Sequence, residues 1–316
     1  MFLYYFRAFR VFRGQIKNME KRKFGKTDME FSVLGFGGAE IGWNNESGAT
    51  VSDLLNSALD AGLNVIDTAA AYKTSEQLIG NAVGRRRNEY YLLTKCGALD
   101  AFTREDWTKK GILETIEQSL RNLQTDHLDL VQLHSCSSEI LNRGEAIEGL
   151  LRAQEKGYTR FIGYSGDNAD AKTAIEIGVF DALQTSVSIA DQSPIDGNIP
   201  LAKEKGLGII AKRPIANAVW RHKELPPDSY HHEYWNRIQK LKFDFLNKSL
   251  EEATATALRF TLSIDGIDTM IVGTTNPGRW QENAKYVAEG NFSTEEFEAI
   301  RNRWREVGGE NWVGMT

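Results

Sequence analysis

Short apolar runs recur along the chain at SVLGF (32–36), LNVID (63–67), YYLLT (90–94), LDLVQLH (128–134), RFIGY (160–164), ALQTSV (182–187), LGIIA (207–211) and TMIVG (269–273). Most are separated by stretches with helical period, which predicts successive β-then-α units. In the first such stretch Val51, Leu54, Leu55, Ala58 and Leu59 fall at i, i+3, i+4, i+7 and i+8 and form one apolar stripe. Thr50 and Asp53 have the spacing of a capping box and place the start of that helix. The same period returns at Ile112, Ile116, Leu120 and Leu123, at Ile147, Leu150 and Leu151, and at Ala255, Leu258 and Leu262. Each stripe can cover a parallel strand.

Eight such units predict an α/β fold closed into a (β/α)8 TIM barrel, because closure leaves no strand edge unpaired. An open doubly wound sheet ordinarily carries G-x-G-x-x-G after its first strand, and LGFGGAEIGW lacks it. Ahead of the barrel, KFGKTDMEFSV (23–33) reads as an N-terminal β-hairpin, with turn chemistry from Gly25 and Asp28. From Lys212 to Lys248 the chain runs well past ordinary loop lengths and carries Pro214, Pro226, Pro227 and many aromatics. It follows the seventh strand, so it predicts a long functional loop at the carboxyl end, where the active sites of this fold sit.

Composition narrows the function classes. A chain of 316 residues with 41% hydrophobic positions fits one barrel domain, read as residues 19–316. A formal charge of −5 argues against a nucleic-acid partner. With Cys96 and Cys136 as the only cysteines, neither a disulfide scaffold nor a structural zinc site is expected, and a reducing, cytoplasmic setting fits. Residues 1–18 are aromatic and basic, precede Met19, and are expected to be a disordered or mis-assigned extension. Arg7, Arg10 and Arg13 interrupt that stretch, so it predicts neither a secretory signal nor an integral membrane segment. The surface composition leaves the oligomeric state open.

Asp67 ends LNVID, Lys95 follows YYLLT, His134 ends LDLVQLH, and Tyr72 lies five residues beyond Asp67. Strand ends of a barrel converge, so these groups are expected around one mouth. Their chemistry suits carbonyl reduction, in which the alkoxide left by hydride delivery must take a proton at once. Tyr72 can give it, Lys95 is expected to lower the phenol's pKa, Asp67 to pair with Lys95, and His134 to orient the carbonyl oxygen.

The stretch GLNVIDTAAAYKTSEQLIG (62–80) resembles the signature of the aldo-keto reductases, with Asp67, Tyr72 and the Ser75-Glu76 pair in place. Lys95 in LLTK and His134 in DLVQLH fall where that family carries the rest of its catalytic tetrad. The resemblance covers about residues 20–290. It implies an NADPH-dependent oxidoreductase, with NADH also possible, that interconverts an aldehyde or ketone and its alcohol with the cofactor extended across the barrel mouth. By the same resemblance Ser165 and Gln184 hold the nicotinamide carboxamide, Thr274, Thr275 and Arg279 lie near the 2′-phosphate, and Glu282 and Asn283 near the adenine. Gly273 departs from the family's usual lysine, and Val187 sits near the place usually given to a ring that stacks on nicotinamide.

Trp43 after the first strand and Trp220 in the long segment are expected to wall the pocket for a small-molecule carbonyl substrate. His222, His231 and His232 lack metal-protease spacing, and no metal is expected. The rival class is a cofactor-binding regulatory barrel with weak or no turnover, similar to the channel-associated members of the family. A non-redox hydrolase would need a nucleophile or metal set that the sequence does not display.

Overall fold

The computed structural model describes residues 19–308 and 312–315; the expectation for residues 1–18 lies outside them. The hairpin is formed by β1 (Lys21–Lys23) and β2 (Glu30–Ser32), which pair antiparallel. Eight further strands close into one barrel: β3 (Leu34–Gly37), β4 (Val65–Asp67), β5 (Tyr91–Cys96), β8 (Leu128–His134), β9 (Thr159–Ser165), β10 (Ala182–Ser186), β11 (Gly208–Lys212) and β12 (Thr269–Val272). Every neighbour in the ring is parallel, including the closing β12–β3 pair. All eight predicted runs therefore become barrel strands, and the closed alternative is the one adopted.

Strand alternation explains how one sequence fills two cores. Val65, Leu93, Leu130, Ala182 and Ile210 form one cluster, whereas their neighbours Ile66, Leu92, Val131, Leu183 and Ile209 belong to the other. The first cluster includes Phe24, Met29 and Phe31 of the hairpin, so the hairpin plugs the amino end of the barrel. Burying each of those three side chains contributes roughly 1.5–3 kcal/mol. Phe24 stacks on Phe31 with centroids 4.1 Å apart. Gly25, at φ +51°, leaves no room for a side chain, since an added Cβ would lie 2.3 Å from the Gly208 nitrogen. With that end sealed, the carboxyl mouth is the one left to chemistry.

The second cluster lies between the strands and the helices, and the predicted stripes supply it. Val51, Leu54, Leu55, Ala58 and Leu59 are all buried on α2 (Gly48–Asp60), which follows the short α1 (Ala39–Trp43). Its start differs from the capping-box expectation: Ser47 is the cap, in extended backbone, and its hydroxyl accepts from the Thr50 amide at 3.1 Å. Thr50 is thus inside the first turn, because a cap must precede the amides it satisfies. The remaining helices are α3 (Ser75–Val83), α4 (Lys109–Leu123), α5 (Ser138–Arg143), α6 (Glu145–Glu155), α7 (Asn168–Ile177), α8 (Asn198–Glu204), α9 (His232–Leu241), α10 (Leu250–Leu262), α11 (Arg279–Val287) and α12 (Thr294–Val307). Among the described residues no helix is long and apolar enough to cross a membrane.

Two features at the mouth depart from the sequence reading. The segment from Lys212 to Lys248 is structured: α9 buries Tyr234, Ile238 and Leu241 at helical spacing, and 3₁₀ turns at Ala216–Arg221, Ser229–His231 and Asp244–Asn247 flank it. After β5 comes an unexpected small hairpin, β6 (Ala98–Leu99) with β7 (Arg104–Glu105). Its tip holds Asp100, Ala101 and Phe102 at φ +46°, +59° and +64°.

Candidate active site

Asp67 is the last residue of β4, Lys95 is near the end of β5 and His134 ends β8, so all three open onto one mouth, each two residues further along than the register partner of the one before, since Asp67 pairs with Leu93 and Lys95 with Gln132. Tyr72 sits on the turn after β4. That turn is tied to the neighbouring strand by the Thr68 amide donating to the Leu93 carbonyl (2.9 Å) and the Ala70 amide to the Lys95 carbonyl (3.1 Å). Ser75 and Glu76 brace it from behind. Ser75 Oγ donates to the Gly38 carbonyl at 2.7 Å, and the Glu76 carboxylate accepts from Thr94 Oγ1 at 2.7 Å and Asn122 Nδ2 at 3.0 Å.

The four predicted groups meet. Lys95 Nζ donates to Asp67 Oδ2 at 2.5 Å and to the Thr68 carbonyl at 2.8 Å, with both ionic side chains 2% exposed. The same ammonium lies 5.3 Å from the centre of the Tyr72 ring. Tyr72 and His134 stand edge to face, centroids 5.4 Å apart.

Burial dominates the electrostatics of this cluster. It pushes Asp67 up and Lys95 down, toward the uncharged pair, while their mutual contact opposes both shifts. Burial, followed by the cations Lys95, Lys212 and Arg213, holds His134 well below its usual range, so the imidazole is neutral at pH 7. Its Nδ1 has no hydrogen-bond partner among the described residues. The Tyr72 phenol is raised, first by burial and then by the Asp67 carboxylate. The Arg213 cation opposes this rise, while the Lys95 ammonium, expected to lower the phenol, donates to Asp67 and Thr68.

Ser165 ends β9 and is opposite Gln184 in the β9–β10 register, both buried. The Gln184 amide lies beside Asp67 and helps hold that carboxyl down, and its Oε1 makes no hydrogen bond among the described residues. A buried amide oxygen left unpaired is costly, roughly 1–3 kcal/mol, and fits a site that a ligand's own donor completes. The second group of predicted residues follows β12. Thr274 is buried and accepts from the Asn276 amide at 3.1 Å, and Thr275 is half-buried. Arg279 opens α11 and pairs with Glu282 at 2.8 Å. Asn283 is buried with its Oδ1 unpartnered. At Gly273 an added Cβ would lie 3.1 Å from the Gly37 carbonyl oxygen, a tight contact.

Trp43 reaches Tyr72, ring centroids 6.4 Å apart. Its helix can approach because Gly42 has no side chain; an added Cβ would meet the Tyr72 carbonyl oxygen at 2.1 Å. Trp220 packs, partly buried, against the main apolar cluster. Val187 is fully buried in that cluster. Phe102 joins the mouth unannounced, because a strained loop rather than a strand end delivers it. Lys212 ends β11, much as Lys95 stands one residue before the end of β5, a signal the sequence offered; its Nζ donates to Asp167 at 3.0 Å. Cys96 and Cys136 are free, and burial pushes both thiols up, Cys136 to about 12.

A sequence profile described as the Aldo/keto reductase family matches residues 33–305. The chain belongs to the aldo-keto reductase family. Among its relatives, the oxidoreductase YqkF of Bacillus subtilis (strain 168) is 26% identical over 91% of this chain and 97% of that protein. L-galactose dehydrogenase of Arabidopsis thaliana is 27% identical over 86% of this chain and 89% of the relative. The NADH-specific methylglyoxal reductase of Escherichia coli (strain K12) is 26% identical over 62% and 68%. An aldo-keto reductase of Bacillus halodurans, solved in its holo form, superposes with a TM-score of 0.78 at 26% identity, covering 90% of this chain and 96% of that one. The aldo-keto reductases use nicotinamide cofactors, and a small-molecule substrate fits this one.

Proposed function

We propose that this aldo-keto reductase interconverts an aldehyde or ketone and its alcohol with NADPH as preferred cofactor, Tyr72 acting as general acid and base. The carrying observation is the edge-to-face Tyr72–His134 pair standing over the buried Lys95–Asp67 contact, beside a buried amide oxygen of Gln184 that no described residue satisfies. When bound, the reduced nicotinamide supplies a hydride to the carbonyl carbon. Ser165 and Gln184 would hold its carboxamide. His134, neutral because burial and three cations keep it so, donates a ring N–H to the substrate oxygen and fixes it against the phenol.

Tyr72 then gives its proton to the developing alkoxide. Its raised pKa keeps the phenol protonated through the neutral range, which suits a donor; oxidation of an alcohol needs the phenolate and is favoured by alkaline pH. Lys95, locked to Asp67, stabilises the charge left on the phenolate oxygen after transfer. Arg279 at the start of α11 supports the NADPH preference, since a planar guanidinium at a helix N-terminus suits a ribose phosphate.

The test is Tyr72→Phe. It is expected to bind NADPH, by quenching of tryptophan fluorescence, as the parent does, and to reduce aldehydes about 10²–10⁴-fold more slowly. Turnover at the parent rate would remove Tyr72 from this role.

A further inference from the structure

Phe102 is 47% exposed although it touches the two rings at the centre of the site. Its ring lies 4.9 Å from His134, edge to face, and 6.3 Å from Tyr72. Against Trp43 it is nearly parallel, at 13° and 6.3 Å between centroids. Trp43 is itself backed by Lys73, whose ammonium stands 4.8 Å from the indole centre.

The loop that brings Phe102 there is strained. Asp100, Ala101 and Phe102 all hold positive φ, a conformation that costs non-glycine residues about 1–3 kcal/mol each and persists where the surroundings enforce it. Here the enforcement is visible. Asp100 offers its carbonyl to the Thr103 amide and hydroxyl and its carboxylate to Arg104 at 2.7 Å, and the Asp106 amide donates to the Gly97 carbonyl at 2.8 Å. Below them Gly97 rests directly on the Trp107 ring. Nothing in the barrel core requires Phe102, so the strain serves its position above Tyr72 and His134.

We propose that Phe102 and Trp43 form an aromatic clamp that selects planar, conjugated carbonyl compounds, aryl aldehydes and ketones, over saturated ones of similar size. This rests on the redox reading of the site. A planar group between two rings needs a van der Waals spacing of about 3.5 Å on each face, more in total than the 6.3 Å between the Phe102 and Trp43 centroids, so the rings must part to admit it. A puckered saturated ring is thicker and demands more. Phe102 sits on an exposed tip whose backbone gains by relaxing, so it is the wall that yields. Once seated, the conjugated group has its carbonyl toward Tyr72 and His134, the floor between the two walls.

The matched pair benzaldehyde and cyclohexanecarboxaldehyde tests this with NADPH, comparing kcat/KM for the parent, Phe102→Leu and Phe102→Tyr. Phe102→Leu keeps apolar bulk and loses the π face. It is expected to lower kcat/KM for benzaldehyde about three- to tenfold more than for cyclohexanecarboxaldehyde, with Phe102→Tyr restoring the parent ratio. The difference of ratios cancels the intrinsic reactivities of the two aldehydes. An NADPH fluorescence titration on each variant shows that the cofactor site is intact. If Phe102→Leu leaves the ratio unchanged while the parent reduces both aldehydes, the clamp is wrong and the redox reading stands. If the parent binds NADPH and reduces neither, the redox reading fails and the clamp with it.

Discussion

Lys95→Met isolates the Asp67 carboxylate in a site where both members of the pair are 2% exposed. A buried carboxylate without its partner is unfavourable, and removing one member of such a pair ordinarily costs about 3–5 kcal/mol. Here the cost has a ceiling that depends on pH. Asp67 can take a proton instead of staying charged, and doing so from the ordinary value of 3.8 at pH 7 costs about 4 kcal/mol, at about 1.4 kcal/mol per unit. At pH 5 the same step costs about 2 kcal/mol.

The sign follows from linkage. A carboxyl whose folded pKa lies above its unfolded value stabilises the fold below the unfolded pKa, and that stability is lost as pH rises toward the folded pKa. Lys95→Met is therefore expected to lose progressively more stability, relative to the parent, from pH 5 to pH 7.5. Asp67→Asn/Lys95→Met removes the titrating group and keeps the lost Thr68 contact common to both variants. It should recover much of the loss at pH 7 and show no such slope. Equilibrium urea unfolding followed by tryptophan fluorescence measures this. A loss independent of pH, or a double variant no more stable than the single one at pH 7, would refute the burial argument.

Two further outcomes follow from the mouth. Asp191 is fully buried, accepts from Tyr234 Oη at 3.0 Å and the Met315 amide at 3.1 Å, and is pushed up to about 7. It stabilises the fold below about pH 4 and that contribution fades up to about pH 7, so Asp191→Asn should flatten the fall in Tm between pH 5 and pH 8; an unchanged slope would mean that Asp191 is not the group responsible. Arg279→Ala should weaken NADPH about tenfold or more and leave NADH within about twofold, read as Kd by fluorescence titration, whereas an equal effect on both cofactors would deny it a 2′-phosphate.

Much of this was legible in the chain before any coordinates. The eight apolar runs and the helical stripes between them determine parallel strands covered by helices, because each run can be buried only under such a stripe. Position at strand ends then brings Asp67, Lys95 and His134 to one mouth, since the parallel strands of a closed barrel all end on the same side. At the start of α2, Ser47 and Thr50 both have cap chemistry, and only the backbone at Ser47 decides between them. The segment after β11 hid α9, whose Tyr234, Ile238 and Leu241 stripe stands among prolines and aromatics that read as loop.

Tertiary structure alone decided the charge states and the upper wall of the site. Burial, and after it the Asp67 carboxylate, turns the Tyr72 shift upward, while the Lys95 ammonium is held 2.5 Å from that carboxylate. Phe102 reaches Tyr72 through backbone angles that no local pattern encodes. Hydrophobic period is a property of neighbours in sequence, and so the chain itself sets the strands and helices. Desolvation and ring contact depend on what long-range packing brings within a few ångströms.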